Sequence, residues 1–283
     1  MIGQTLLGRY TVDARLGEGG MGEVWRALDE RGSPVAIKRL HGEIAGSPEL
    51  AARFEREAQA LAMLAHPNIA ALHAVGTRDD GGMFFVMEYV EGHDLATELE
   101  AGRLAPARAV ALVRQLLGAL HHAHQFGLIH RDLKPENVLL TRGEAGEQIK
   151  IIDFGLVKMV GDVLGAEGQA RLTATGVIFG TPDYMAPEQM LEQPVDPRTD
   201  LYAVGILLFE LLTGRRPFES EEISEVWRAH LSAPVPRLRD IDPALDHPDL
   251  DAILELLLAK RPEQRFETAL AARRALESLA LST

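Results

Sequence analysis

The chain has 283 residues, 46% of them hydrophobic and 25% charged, an ordinary globular composition about twice the common domain size. Lys+Arg number 29 and Asp+Glu 42, and the resulting charge of −13 repels nucleic acid and anionic lipid. Cysteine is absent, no run of about 18 uncharged apolar residues exists, and residues 1–9 lack a basic stretch ahead of an apolar one, which argues against disulfides, thiolate metal sites, a membrane span and a secretory signal.

In chain order, the alternating apolar runs 9–16, 22–28 and 34–39 predict three short strands, parted by a glycine-rich turn and by Arg31-Gly32-Ser33. Ser47-Pro48 offers an N-cap and a first-turn proline for a helix with Phe54, Ala58, Leu61 and Leu64 on one face. Strands over 70–76 and 83–89 follow, joined by a turn at 79–82. Beyond Val90 the pattern is helical. An amphipathic helix is expected over 107–125, a helix apolar on nearly every side over 200–212, and three more over 221–231, 249–258 and 268–279. The expected architecture is α+β, with a β-rich lobe at 1–90, a helical lobe at 91–283 and a junction near 88–92.

Only five of the basic residues are lysines: Lys38, Lys134, Lys150, Lys158 and Lys260. Leu16-Gly17-Glu18-Gly19-Gly20-Met21-Gly22-Glu23-Val24 carries G-x-G-x-x-G-x-V. A dinucleotide fold needs a helix after the third glycine, and here a strand pattern follows. The motif is then either an ordinary hairpin turn or a glycine-rich hairpin over a nucleotide, where absent Cβ atoms let the backbone approach phosphate. Val35-Ala36-Ile37-Lys38 places Lys38 on the strand face that also carries Ala36, within reach of that phosphate. Glu57 lies three residues after Phe54 and four before Leu61, on the inward helix face. A carboxylate aimed at a core needs a cation, and Lys38 is the available one.

Further on stand His130-Arg131-Asp132-Leu133-Lys134-Pro135-Glu136-Asn137, then Asp153-Phe154-Gly155, then Gly180-Thr181-Pro182-Asp183-Tyr184-Met185-Ala186-Pro187-Glu188. With the glycine loop and the Lys38 strand, these motifs resemble, in order, the eukaryotic-type protein kinase family, closest to bacterial receptor-like serine/threonine kinases. The resemblance runs from Tyr10 to about Leu279 and implies a two-lobed kinase fold. It implies ATP with magnesium, or manganese in its place, and transfer of the γ-phosphate to Ser/Thr hydroxyls of proteins. Phosphoryl transfer is mostly positioning and charge neutralisation. By resemblance, Asp132 handles the hydroxyl proton, Lys134 touches the moving phosphoryl group, and Lys38, paired to Glu57, holds the α/β-phosphates. Asn137 and Asp153 would be the metal ligands.

The resemblance also assigns the rest of the nucleotide site. Leu16, Gly17, Gly19, Gly22, Val24, Ala36 and Leu139 surround the nucleotide. Met87 is the gatekeeper, the Glu88 carbonyl and the Val90 amide hold adenine, Asp94 reaches the ribose, and Glu136 also belongs to the cofactor site while favouring basic residues near the target hydroxyl. Lys134 and residues 180–184 look like the Ser/Thr-specific branch. Arg131 and Lys158 would receive a phosphorylated loop residue, with Thr173 and Thr175 as autophosphorylation sites. Glu188 is expected to pair with Arg265, and Asp200 to accept bonds from the catalytic-loop backbone. His130 is read as a packing residue under Phe154. His121, His122 and His124 fall on different faces of one helix end and are not read as a metal cluster. The rival readings are a pseudokinase scaffold and a small-molecule kinase, the latter lacking a segment like 180–188. A cytoplasmic location is expected, as a soluble kinase or as the cytosolic domain of a larger membrane-anchored one, and the resemblance implies homodimerisation through residues 1–90.

Overall fold

The computed structural model describes residues 1–19, 22–43, 61–78, 82–143, 146–154 and 182–280. The chain divides into two compact units, Met1–Glu91 with Gly155–Phe179, and Gly92–Phe154 with Gly180–Thr283.

In the first unit, β1 (Thr5–Leu6), β2 (Tyr10–Gly19), β3 (Gly22–Leu28), β4 (Pro34–Glu43), β5 (Leu72–Thr77) and β6 (Gly82–Glu88) form one antiparallel sheet in the order β1-β2-β3-β4-β6-β5. The period of two sorts the side chains onto two faces. Trp25, Ala27, Val35, Ile37, Phe84 and Val86 share one face and close a core with Tyr10 and Val12. Each large member of that core contributes about 1.5–3 kcal/mol by leaving water. The turn between β3 and β4 falls where Arg31-Gly32-Ser33 placed it. The Asp29 carboxylate accepts from the amides of Arg31 and Ser33 at 2.9 and 2.8 Å, and Gly32 takes φ +80°. Of the helix expected over 47–64 only Leu61–Leu64 are described, and both leucines are buried. The 79–81 part of the expected turn lies outside the described residues.

The second unit is built on two long helices. α1 (Leu95–Glu100) comes first, its amide at Thr97 capped by Asp94 Oδ1 at 2.7 Å. α2 (Pro106–Gln125) opens on a first-turn proline and buries Leu112, Val113, Leu116, Leu117 and Leu120. α3 (Pro187–Met190) is a single turn. α4 (Arg198–Thr213) is buried everywhere except at Arg198, Glu210 and Thr213, and Gly214 ends it at φ +77°. α5 (Ile223–Ser232), α6 (Leu238–Ile241), α7 (Pro248–Leu257) and α8 (Ala269–Glu277) complete the set. Gly205 lets α4 and α7 close up, because a Cβ there would lie 2.8–2.9 Å from the side chains of Leu257 and Leu258.

The second unit also carries a sheet that the helical pattern hid. β7 (His93–Asp94), β8 (Val138–Gly143) and β9 (Gly146–Ile151) pair antiparallel. Gly92 admits this sheet, since a Cβ there would stand 2.2 Å from the Leu140 carbonyl. β8 starts directly after Asn137 and β9 ends two residues before Asp153, so this hairpin brings the two motif residues together.

Candidate active site

The segment between α2 and β8 is irregular, and its backbone is held by side chains. Asp200, in the first turn of α4 and 1% exposed, accepts from the amides of His130 at 2.9 Å and Arg131 at 3.0 Å. Its Oδ2 also meets His124 Nε2 at 2.8 Å. Burial alone would push the Asp200 carboxyl up; the bond from His124 and the neighbouring imidazoles and amides outweigh it and hold the group below the usual carboxylate range. His130 lies edge-on to Phe154 with ring centroids 5.0 Å apart, as expected. Its Nδ1 accepts from the Asp132 amide at 3.3 Å, which makes Nε2 the protonated nitrogen facing the Ile152 carbonyl at 3.2 Å.

These anchors fix an unusual backbone. Arg131 and Asp153 both sit at positive φ, +69° and +59°, where a non-glycine residue stays only if its surroundings compel it. Asn137 Nδ2 donates to the Asp132 carbonyl at 2.6 Å and lies 3.3 Å from Asp132 Oδ2. Lys134 Nζ stands 3.9 Å from the same Oδ2. The Asn137 carbonyl accepts from Ile152 N at 2.9 Å, which sets Asp153 beside the Asp132–Asn137 pair. Glu136 is exposed in the turn Pro135–Asn137, and Leu139 faces Asp94 in the β7–β8 register.

In the first unit the register lines up residues that the resemblance places around a nucleotide. Gly17 faces Val24, Val24 faces Lys38, and Lys38 faces Phe85; Ala36 faces Met87. All lie on the sheet face opposite the Trp25–Ile37 core. Lys38 is 7% exposed and Met87 8% exposed. Gly17 and Gly19 have nothing within 4 Å of where a Cβ would be, so contacts among the described residues do not require glycine at either. Gly22 differs: its Cβ would strike the Arg39 carbonyl at 1.9 Å, so strand packing alone requires it. Leu16 is half-exposed ahead of Gly17. Ala71 holds Glu88 at both ends, accepting from its amide at 2.8 Å and donating to its Oε2 at 3.2 Å, and Val90 follows half-buried.

The supports of residues 183–188 are equally definite. Arg265 donates to both oxygens of Glu188 at 2.7 and 2.8 Å, and Thr199 Oγ1 adds a bond at 2.8 Å. Tyr184 donates to Glu210, and Arg216 pairs with Asp183. His230, fully buried, meets the Tyr202 hydroxyl at 3.0 Å. Glu57, Lys158, Thr173, Thr175 and Thr181 lie outside the described residues.

Two contributors escaped the sequence reading. His124 was set aside with its neighbours, yet the three histidines do different things. His121 meets Gln125 at 3.3 Å, His122 lies against Phe126, and only His124 reaches Asp200. Its spacing from Leu117 and Leu120 puts it on the buried face, a signal that was available. Gln189 Nε2 donates to the Arg131 carbonyl at 2.8 Å, and nothing in the sequence marks it.

Asp132, Asn137 and Asp153 are thus gathered beside one side-chain-anchored loop. The match to the family model described as protein kinase domain spans residues 10–277. The chain belongs to the protein kinase family. It is 40% identical over 267 residues to the probable serine/threonine-protein kinase SCO3848 of Streptomyces coelicolor, covering 93% of this chain and 38% of that one. It is 38% identical over 273 residues to serine/threonine-protein kinase PknA of Mycobacterium tuberculosis, covering 94% of this chain and 60% of that one. The chain thus spans less than two thirds of either relative. The crystal structure of the Mycobacterium tuberculosis PknI kinase domain is similar at a TM-score of 0.74 and 30% identity, covering 98% of each chain. Family membership carries ATP and a divalent metal as the shared requirement.

Proposed function

We propose that this chain transfers the γ-phosphate of ATP, with magnesium, to Ser and Thr hydroxyls of proteins and of its own residues Thr173 and Thr175. The observation that carries this reading is the Asp132–Asn137–Asp153 grouping. Asn137 commits its nitrogen to the Asp132 carbonyl, which leaves its oxygen as the ligating atom. An amide oxygen and a carboxylate are the hard donors that suit magnesium, and Asn137 with Asp153 would hold it. When bound, the metal neutralises charge on the phosphates.

The chain's own residues supply the rest. Asp132, fixed by His130, Asn137 and the backbone around it, orients the attacking hydroxyl and takes its proton. Lys134 follows the moving phosphoryl group with a compact ammonium that a planar guanidinium would match poorly. Lys38, with Glu57 as partner, holds the α/β-phosphates. Gly17 and Gly19 give the phosphates backbone without side chains. Leu16, Val24, Ala36, Met87 and Leu139 supply apolar walls. The Glu88 carbonyl and the Val90 amide address adenine, Asp94 the ribose, and Glu136 completes the cofactor site. Arg131 Nε is buried without a hydrogen-bond partner among the described residues, which supports its role, with Lys158, as the receiver of a loop phosphate.

No described helix is long and apolar enough to cross a membrane. We assign the activity to the cytoplasm, where ATP is available, and self-association to residues 1–90, which sedimentation velocity would test. The deciding experiment is incubation with labelled ATP and magnesium or manganese, followed by phosphosite mapping. Label on Thr173 or Thr175 and on added protein supports the reading. Equal labelling by wild type and Asp132→Asn would remove it.

A further inference from the structure

The peptide unit joining Arg131 to Asp132 is gripped on both sides. Its N–H, that of Asp132, points to His130 Nδ1 at 3.3 Å. Its carbonyl, that of Arg131, accepts from Gln189 Nε2 at 2.8 Å. The same carboxamide accepts from the Ala186 amide through Oε1 at 3.0 Å. One neighbour needs a donor and the other an acceptor, so the amide orientation is determined. His130 and Asp200 hold the loop from the catalytic side. Gln189 is the grip that comes from the segment 182–190, directly behind Glu188. Arg131 sits at φ +69°, so its carbonyl direction depends on such contacts.

We propose that Gln189 is a positioning residue. By holding the Arg131 carbonyl it sets the orientation of the peptide that carries Asp132, and it couples the segment 182–190 to the proposed base. This inference rests on the kinase reading of Asp132. The bland alternative is that Gln189 only caps α3. At the third position of that helix its oxygen satisfies the Ala186 amide, and Ala186 has no side chain with which to complete a reciprocal box.

Gln189→Glu separates the two roles. An ionised carboxylate keeps the acceptor for the Ala186 amide and favours the helix N-terminus, but it has no proton to donate to the Arg131 carbonyl. A protonated carboxyl restores both bonds. Wild type, Gln189→Glu and Gln189→Met are compared in single-turnover transfer to a Ser/Thr peptide pool at saturating ATP and magnesium, from about pH 8 to about pH 5, spanning the side of the carboxyl range where protonation begins. The expected result is a transfer rate for Gln189→Glu about tenfold below wild type at pH 8, the size of one lost directed bond. The ratio to wild type then climbs as pH falls. Gln189→Met shows a similar loss at every pH. KM for ATP stays near wild type for both variants; the unfolding midpoint stays near wild type for Gln189→Glu and falls for Gln189→Met, which leaves the buried Ala186 amide without its acceptor. A ratio for Gln189→Glu that stays flat across the pH range, or full activity in Gln189→Met, overturns the inference and leaves a helix cap. If Gln189→Glu fails to fold, full activity in Gln189→Met still overturns the inference, and a loss of rate at unchanged KM for ATP supports it. Wild-type inactivity would instead strike the kinase reading itself.

Discussion

On the proposed reading, Asp132 and Lys38 separate catalysis from binding at the level of single residues. Asp132→Asn keeps the size and the backbone bonds but removes the base. Transfer to protein should fall by about 10²–10⁴-fold, the usual worth of a positioned base, while nucleotide binding, read by calorimetry, persists. Lys38→Met removes a buried cation from the phosphate face, and here both transfer and ATP affinity should drop. Asp200 offers a test of support rather than chemistry. His124→Phe removes one of its three donors inside the fold, and stability measured by urea unfolding should fall by about 1–3 kcal/mol. The Asp132, Asn137 and Asp153 motifs were readable because each needs a particular residue type at a fixed spacing. His124 was readable only through its helix face. Gln189 was not, because its partner is a carbonyl 58 positions away in sequence.

Elements are tied by buried charge and by neutral buried groups, and pH distinguishes the two. Arg265 and Glu188 join the turn before helix α8 to α3, with side chains 0% and 2% exposed. Burial would raise the Glu188 carboxyl, yet the Arg265 guanidinium and Thr199 hold it below its ordinary value. Its contribution is therefore complete above the unfolded carboxylate range and lost only as pH falls below about 4. Arg265→Ala leaves that carboxylate buried and unpaired and should cost about 3–5 kcal/mol, seen as a lowered unfolding midpoint. His230 on α5 behaves in the other window. Burial first, then the charges of Lys260 and Arg216, push it down to about 4 from 6.5. The unfolded chain takes up the proton first. Stability is thus fully present above about pH 6.5 and declines toward pH 4, by up to about 3 kcal/mol. His230→Gln, neutral throughout, should flatten the unfolding curve across that interval. At this scale strands β2 to β6 and helices α2 and α4 lie within a few residues of the expected bounds, because period and burial agree there, whereas β1 was not expected. β7, β8 and β9 were missed because β8 and β9 are short runs wedged between two motifs and β7 is only two residues long. The alternation of Ile149 and Ile151 before Asp153 was the signal.

For the whole molecule, the strongest expectation concerns ligand-linked stability. If the described residues hold nucleotide with metal, ATP with magnesium at about 100 times its dissociation constant should add about 2.7 kcal/mol. Asp153→Ala should remove the magnesium-dependent part of that shift. A net charge of −13 predicts that association with basic proteins weakens with added salt, as a screened field must. The bonds from Asp200 to the amides of His130 and Arg131 have a last consequence. Those two amides can exchange with heavy water only when α4 releases its carboxylate, and α4 is the most buried helix described. In a native-state exchange experiment they should therefore retain protium as long as the interior of α4, even though they belong to an irregular loop. The loop that does the chemistry would then open only with the last cooperative unit of its half of the molecule.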